Sequence, residues 1–314
     1  MTTAQNSFKF KGDAFENRYR IQGLLTATAP LHVGTGEDRP DDLPRKDQPD
    51  NEEPPRISEI ARDFSGMPYL PGSSLRGVVR HYLLQIFGAF LAGIARDPDF
   101  ENGSFEIIDQ DQQRRRIKFK DLDQAGQVIY LQRYASLLEQ LFGTPFSESK
   151  IDFWDAALQN RVQAAFPKSK GWDNARQSYV VRSVAIDPQT GVAEANKLYS
   201  FDVVPTGAAF DLNVVGQNLS DVELGFLLFG LDGFNSEIFP LTLGAMAGRG
   251  FGRMKFELKA IYRLTASELP KWAKDATRTN HAGYQLSPTF LVPEKDKLIA
   301  AFKQAFSAKL GGQS

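Results

Sequence analysis

The sequence predicts an α+β sandwich of ferredoxin type with insertions. Two observations lead there: the periodicities along the chain run strand, helix, strands, helix, strand, and no repeat of fixed period breaks that order. A third is composition. The chain has 314 residues, 42% hydrophobic and 24% charged, enough for a substantial globular core.

Residues 18–33 read as one long strand, with Tyr19, Ile21 and Leu25 set among polar residues and Pro30 bending its end. Residues 37–55 hold Asp, Glu, Pro, Arg and Lys with almost no apolar side chain, so they read as a loop that burial does not order. Residues 67–72 form an extended approach to a helix capped by Ser73 or Ser74. Leu75, Val78, Val79, Tyr82, Leu83 and Ile86 give that helix one apolar face. The next segment combines a polar hairpin over 105–108 and 114–119 with a helical piece over 130–141. Residues 179–205 predict a β-hairpin turning at 187–191, where Asp187, Pro188 and Gly191 favour reversal. A strand over 210–215, a helix over 221–231 and a last strand over 253–263 follow. A C-terminal helix over 294–310 opens after Pro293, with Leu298, Phe302, Ala305 and Phe306 on one face. The expected organisation is therefore a core of 1–88 and 141–263, an insertion at 89–140 and a C-terminal helical extension at 264–314.

Charge and composition narrow the function classes. Net charge is -1 and the pI about 6.4, so a nucleic-acid surface has to be a local patch. With 0 Cys there is neither a disulfide framework nor a thiolate metal site, which suits a reducing cytoplasm. Residues 1–11 are polar and unlike a signal peptide, and the longest apolar run, 224–231, is too short to span a bilayer. The chain's 3 His (His32, His81 and His281) lack metal-site spacing.

Three glycine-relieved turns stand out. They are Leu31-His32-Val33-Gly34-Thr35-Gly36, Pro71-Gly72-Ser73-Ser74-Leu75-Arg76-Gly77 and Gly248-Arg249-Gly250-Phe251-Gly252-Arg253. Glycines admit positive φ and let another chain approach the backbone, and Arg249 and Arg253 flank such a surface. The turn lacks the lysine and hydroxyl of a phosphate-binding P-loop, and a strand rather than a helix follows it, which excludes a dinucleotide turn. A tight strand connection with solvated arginines is the alternative. At 73–80, free backbone N–H groups at a helix start attract anions, with Arg76 and Arg80 on the side away from the apolar stripe. A capped helix with two surface arginines explains the same residues. In a ferredoxin-type order the first helix and last strand are neighbours, which lets the two turns share a surface.

Asp38, Asp41, Asp42, Asp47 and Asp50 either hold Mg²⁺ or form a solvated charge run. Arg114, Arg115 and Arg116 either touch a phosphate backbone or guard an exposed strand edge. His32, just before Gly34, reads as a packed or hydrogen-bonding residue.

Together and in this order, the three turns resemble the RAMP superfamily, the RNA-binding subunits of type III CRISPR effector complexes. The resemblance extends to Arg62-Asp63, Gly66, Pro68 and residues 69–77, then Leu141-Phe142-Gly143 and residues 152–156. It implies an RRM-like ferredoxin core with a thumb hairpin, mapped to about 179–205. It also implies CRISPR guide RNA, target RNA and other effector subunits as partners, in antiviral defence and with no membrane. The RNA-binding residues it points to are Ser73, Ser74, Arg76, Arg80, Gly248, Arg249, Gly250, Gly252 and Arg253, with no cofactor required for binding. Family members that cut RNA place a metal-dependent aspartate just upstream of the Arg-Asp pair, closely followed by a proline. Residues 56–61 here, Arg-Ile-Ser-Glu-Ile-Ala, contain neither. Glu59 is the nearest carboxylate, and Asp50, Asp41 and Asp42 lie further back. Cleavage through any of these would need Mg²⁺. The expected role is a backbone subunit of the complex. The alternatives are an endoribonuclease cutting target RNA within it, or a free-standing guide-RNA processing enzyme using His32.

Overall fold

The computed structural model describes residues 9–41, 56–89, 91–100, 103–108, 113–163, 171–186, 189, 193–278 and 295–311. In chain order, β1 (Asn17–Ala27), β2 (Gly34–Pro40), β3 (Arg56–Ile60) and β4 (Tyr69–Leu70) precede helix α1 (Gly72–Phe87). The hairpin β5 (Ser104–Ile108) and β6 (Arg114–Lys118) leads to α2 (Gln124–Tyr134) and α3 (Leu137–Phe142). Next come β7 (Ile151–Phe153), β8 (Ala156–Ala157), β9 (Trp172–Asp173), β10 (Ser178–Ile186), β11 (Ala193–Val203) and β12 (Ala209–Gln217). Helix α4 (Asp221–Asp232), strand β13 (Met254–Thr265) and helices α5 (Leu269–Arg278) and α6 (Lys295–Gly311) follow.

The main sheet has the order β13-β1-β12-β7, with every neighbouring pair antiparallel. Taken with α1 and α4, this is a split β-α-β-β-α-β arrangement, so the α+β ferredoxin class is borne out. Period-two alternation builds the sheet: Tyr19, Ile21, Leu25 and Ala27 point into the core from β1, and Phe210, Leu212 and Val214 from β12. Helix α4 joins them through Leu224, Phe226, Leu227, Leu228 and Leu231. Its start is fixed by a capping box between Ser220 and Glu223, whose carboxylate also takes a buried 2.7 Å ion pair from Lys150.

A second sheet has the order β2-β3-β11-β10-β9. The hairpin expected over 179–205 is therefore the β10–β11 pair, with β11 parallel to β3 and β10 extended by β9. The insertion carries its own small core, in which Phe100, Phe119, Tyr130 and Leu131 are buried and Phe105 packs against them. Helix α6 lies on α4 and sends Leu298 and Phe302 into the main core. Gly225 makes that approach possible, because a Cβ there would collide with the Leu298 carbonyl oxygen. The C-terminal helix thus contributes to the main packing.

Several local expectations need correction. The single strand over 18–33 breaks after Ala27: Thr28 and Ala29 turn to hydrogen-bond Arg253, and Pro30 lacks an N–H, so Leu31 resumes only as a bridge to Val204. Residues 37–40 belong to β2 rather than to a loop, paired with Arg56, Ile57 and Ser58. The helical piece over 130–141 is two helices, because Ser136 forms a capping box with Glu139 and starts α3 afresh. Neither Ser73 nor Ser74 caps α1. The helix begins at Gly72, whose N–H is taken by the Asp155 carboxylate at 2.8 Å from the β7–β8 corner. Finally, α1 packs chiefly on β7, α3 and α4, not on the last strand. What it meets is the loop leading into β13.

Candidate nucleic-acid interface

The three glycine turns converge. His32 is buried, and its Nδ1 lies 2.6 Å from the backbone oxygen of Asp202. A carbonyl oxygen only accepts, so Nδ1 bears the proton and Nε2 is left toward Gly34. The His32 carbonyl accepts from Ala245 N–H at 2.9 Å, and Gly252 N–H donates to Pro30 at 2.9 Å. These bonds zip the turn before β13 onto the segment after β1. Glycine is required where they form: Gly244 and Gly252 have φ of +84° and +80°, and a Cβ on Gly244 would strike the His32 carbonyl oxygen.

Between this zipped pair and the start of α1 runs an open groove of about 560 Å³, bordered by His32, Gly34, Ser58, Ser74, Gly77 and Gly244. Its walls are backbone, small residues and the apolar side chains of Val33, Val78 and Leu243, with His32 and two hydroxyls as polar handles. Such a surface suits close approach by another polymer's backbone, with hydroxyl, imidazole and N–H contacts that read no sequence.

The expected contact residues are distributed unevenly around it. Ser74 borders the groove and Ser73 is exposed beside it. Gly248, Arg249, Gly250 and Arg253 are exposed on the adjoining turn, whereas Gly252 is buried in the zip. Arg249 stacks over the Tyr199 ring at 5.0 Å and donates to its hydroxyl, which pre-orients the guanidinium. Arg76 turns inward, donating to the Phe142 carbonyl and lying 5.7 Å from the Phe142 ring. Burial, and secondarily the charge of Arg80, push its guanidinium below the ordinary arginine value. Arg80 is paired with Asp97 at 2.7 Å. Neither arginine of α1 borders the groove, and Asp155 occupies the N–H end of the helix where an anion was expected.

The acidic candidates are committed elsewhere. Glu59 sits between two guanidinium groups, 2.7 Å from Arg39 and 2.6 Å from Arg176. Asp41, expected in a solvated loop, is buried at the end of β2 and ion-paired with Arg182 of β10 at 2.9 Å. Asp42 and Asp50 lie outside the described residues. Two arginines already neutralise Glu59 and one neutralises Asp41, so neither fits as a Mg²⁺ ligand. Among the described residues, no three His, Asp or Glu side chains converge on a point that would hold a metal ion.

Sequence reasoning missed the polar support beneath the groove. Arg62 donates to Asp202 at 2.7 Å, to Ser178 at 2.7 Å and to the carbonyls of Gly66 and Arg176 at 2.9 and 2.6 Å. Asp202 in turn presents its carbonyl to His32. Residues 62 and 202 are far apart in sequence, and only an aspartate set between Phe201 and Val203 hinted at the pair.

Sheet order, helix placement and glycine-walled groove define an RRM-like domain of the α+β class, with no described helix long and apolar enough to cross a membrane. Residues 24–255 match the RAMP superfamily, and the chain belongs to that family. Membership makes it a CRISPR-associated, RNA-binding protein of type III context. No curated protein matches the chain.

Proposed function

We propose that the chain is a backbone subunit of a type III CRISPR effector complex. In this reading it works in the cytoplasm, holding guide RNA and its target duplex beside neighbouring subunits, with the β10–β11 hairpin as its thumb. The observation behind this is the groove between the first two glycine turns and residues 243–245, which lead into the third; it is lined by His32, Ser74, Gly77 and Gly244. Arg249 and Arg253, exposed beside it, supply phosphate contacts, and Arg76 and Arg80 add to the local positive field. Each phosphate contact steepens the salt dependence of single-strand binding by about 0.7 in log–log slope. Replacing Arg249 and Arg253 with alanine is therefore expected to lower the slope by about 1.4 in a folded protein, and adding Arg76→Ala and Arg80→Ala should lower it little further. An unchanged slope would remove these residues from the interface.

In the same reading the subunit binds RNA without cutting it. A cleaving carboxylate must be free to hold a metal near the scissile phosphate, and Glu59 and Asp41 are both held by arginines. Complex reconstituted with guide RNA, target RNA and Mg²⁺ should show no cut that depends on this chain. Target fragments are mapped for the parent and for Glu59→Ala, Asp41→Ala, Asp42→Ala and Asp50→Ala. Loss of one cut in a single variant, with binding intact, would make the subunit a ribonuclease instead.

A further inference from the structure

We infer that the outer face of the β5–β6 hairpin is a second RNA backbone-binding surface, separate from the groove and formed by Arg114, Arg116 and Lys118. The inference rests on the RNA-binding reading above and adds a site to it. Side chains alternate along a strand, and the register pairs Ser104 with Lys118, Phe105 with Ile117 and Ile108 with Arg114. Phe105 packs against Phe119 and Tyr130 of the small core, with ring centroids 6.4 and 5.0 Å apart, so Phe105 and its partner Ile117 share the core-side face, with Arg115 exposed nearer the tip. Arg114, Arg116 and Lys118 then share the opposite face, and all three are exposed. Successive members of such a row lie about 6.8 Å apart, a stride comparable with that of phosphates along an extended single strand.

Two further observations favour a ligand over mere charge guarding of a strand edge. Arg116 and Lys118 border a concavity of about 420 Å³ with Ser104, Asp121 and Leu122, which gives the stripe a recess beside it. The platform is also held to the body of the protein. Phe146 packs on Phe119 at 4.6 Å, and Arg96 pairs with Glu139 of α3 at 2.6 Å while donating to the Tyr134 carbonyl at 2.8 Å. Guarding an edge needs no regular row, whereas here exposed cations recur at every second residue of β6 on a fixed platform. The row places three positive charges within the five residues of β6. On a chain of net charge -1, that local excess is where an anionic polymer gains most.

The test uses the full chain, a short RNA that fills only the groove, and a longer RNA that also reaches the hairpin. Affinity is measured against salt for the parent, for the triple variant Arg114→Gln, Arg116→Gln, Lys118→Gln, and for Gly244→Val, with circular dichroism as the folding check. The triple variant should bind short RNA as the parent does but lose a slope of about two on the longer RNA. That corresponds to about a sixteenfold smaller change in affinity over a fourfold rise in salt. Gly244→Val should lose the short RNA. Equal slopes for parent and triple variant on the longer RNA would overturn the second surface. A parent that binds neither RNA overturns the RNA-binding reading itself, and this inference with it.

Discussion

Phe302→Ala is expected to lower folding stability by about 3–5 kcal/mol, the usual cost of emptying a phenylalanine-sized site in a core. Phe302 is 2% exposed, and its ring centroid lies 5.1 Å from Phe226, 5.7 Å from Phe229 and 5.8 Å from Phe87. Those partners come from α1 and α4, the two helices of the ferredoxin arrangement, so the cavity would open between α6 and the central domain. At about 2–4 °C per kcal/mol for a chain of this size, the melting temperature should fall by about 10 °C. Urea denaturation of parent and variant measures the loss directly. A change below about 0.5 kcal/mol, within the range of surface substitutions, would mean that α6 does not stabilise the core.

Asp202→Ala should cost a similar amount, about 3–5 kcal/mol, by a different mechanism. Its carboxylate is 1% exposed and neutralises Arg62, itself only 10% exposed, with Arg176 3.7 Å away. Removing the carboxylate strands a buried guanidinium that keeps only neutral acceptors. Replacing both partners with leucine should cost less than the two single changes added together, because no charge is then left buried. Additive losses in that cycle would show that the pair is not coupled. The Asp202 backbone also holds His32, so RNA affinity should fall with stability in Asp202→Ala, and the leucine pair tells loss of charge from displaced backbone.

The order of strand and helix periodicities was enough to call the ferredoxin class, because alternation along β1 and β12 and the apolar face of α1 are local properties. The glycine turns were legible for the same reason: positive φ and close approach are demanded of single residues. Boundaries were less so. Nothing in residues 18–33 shows that Thr28 and Ala29 leave the sheet to bond Arg253, since that partner arrives from the far end of the chain. Ser73 and Ser74 have the chemistry of caps, yet Asp155 takes the helix start because the β7–β8 corner places it there.

The candidate site divides along the same line. Sequence alone determined which residues have unusual chemistry: the glycines at 34, 77, 250 and 252, His32, and the absence of an aspartate upstream of Arg62-Asp63. It also determined the family, through the order of the three turns. Only the tertiary structure decided what those residues face. It turned Arg76 onto Phe142 and closed Arg39 and Arg176 on Glu59. It buried Asp41 against Arg182 and set α6 into the core through Gly225. The physical reason is that charge pairing and close packing depend on distances across the fold, and a side chain's partner is set by the strand or helix that arrives beside it.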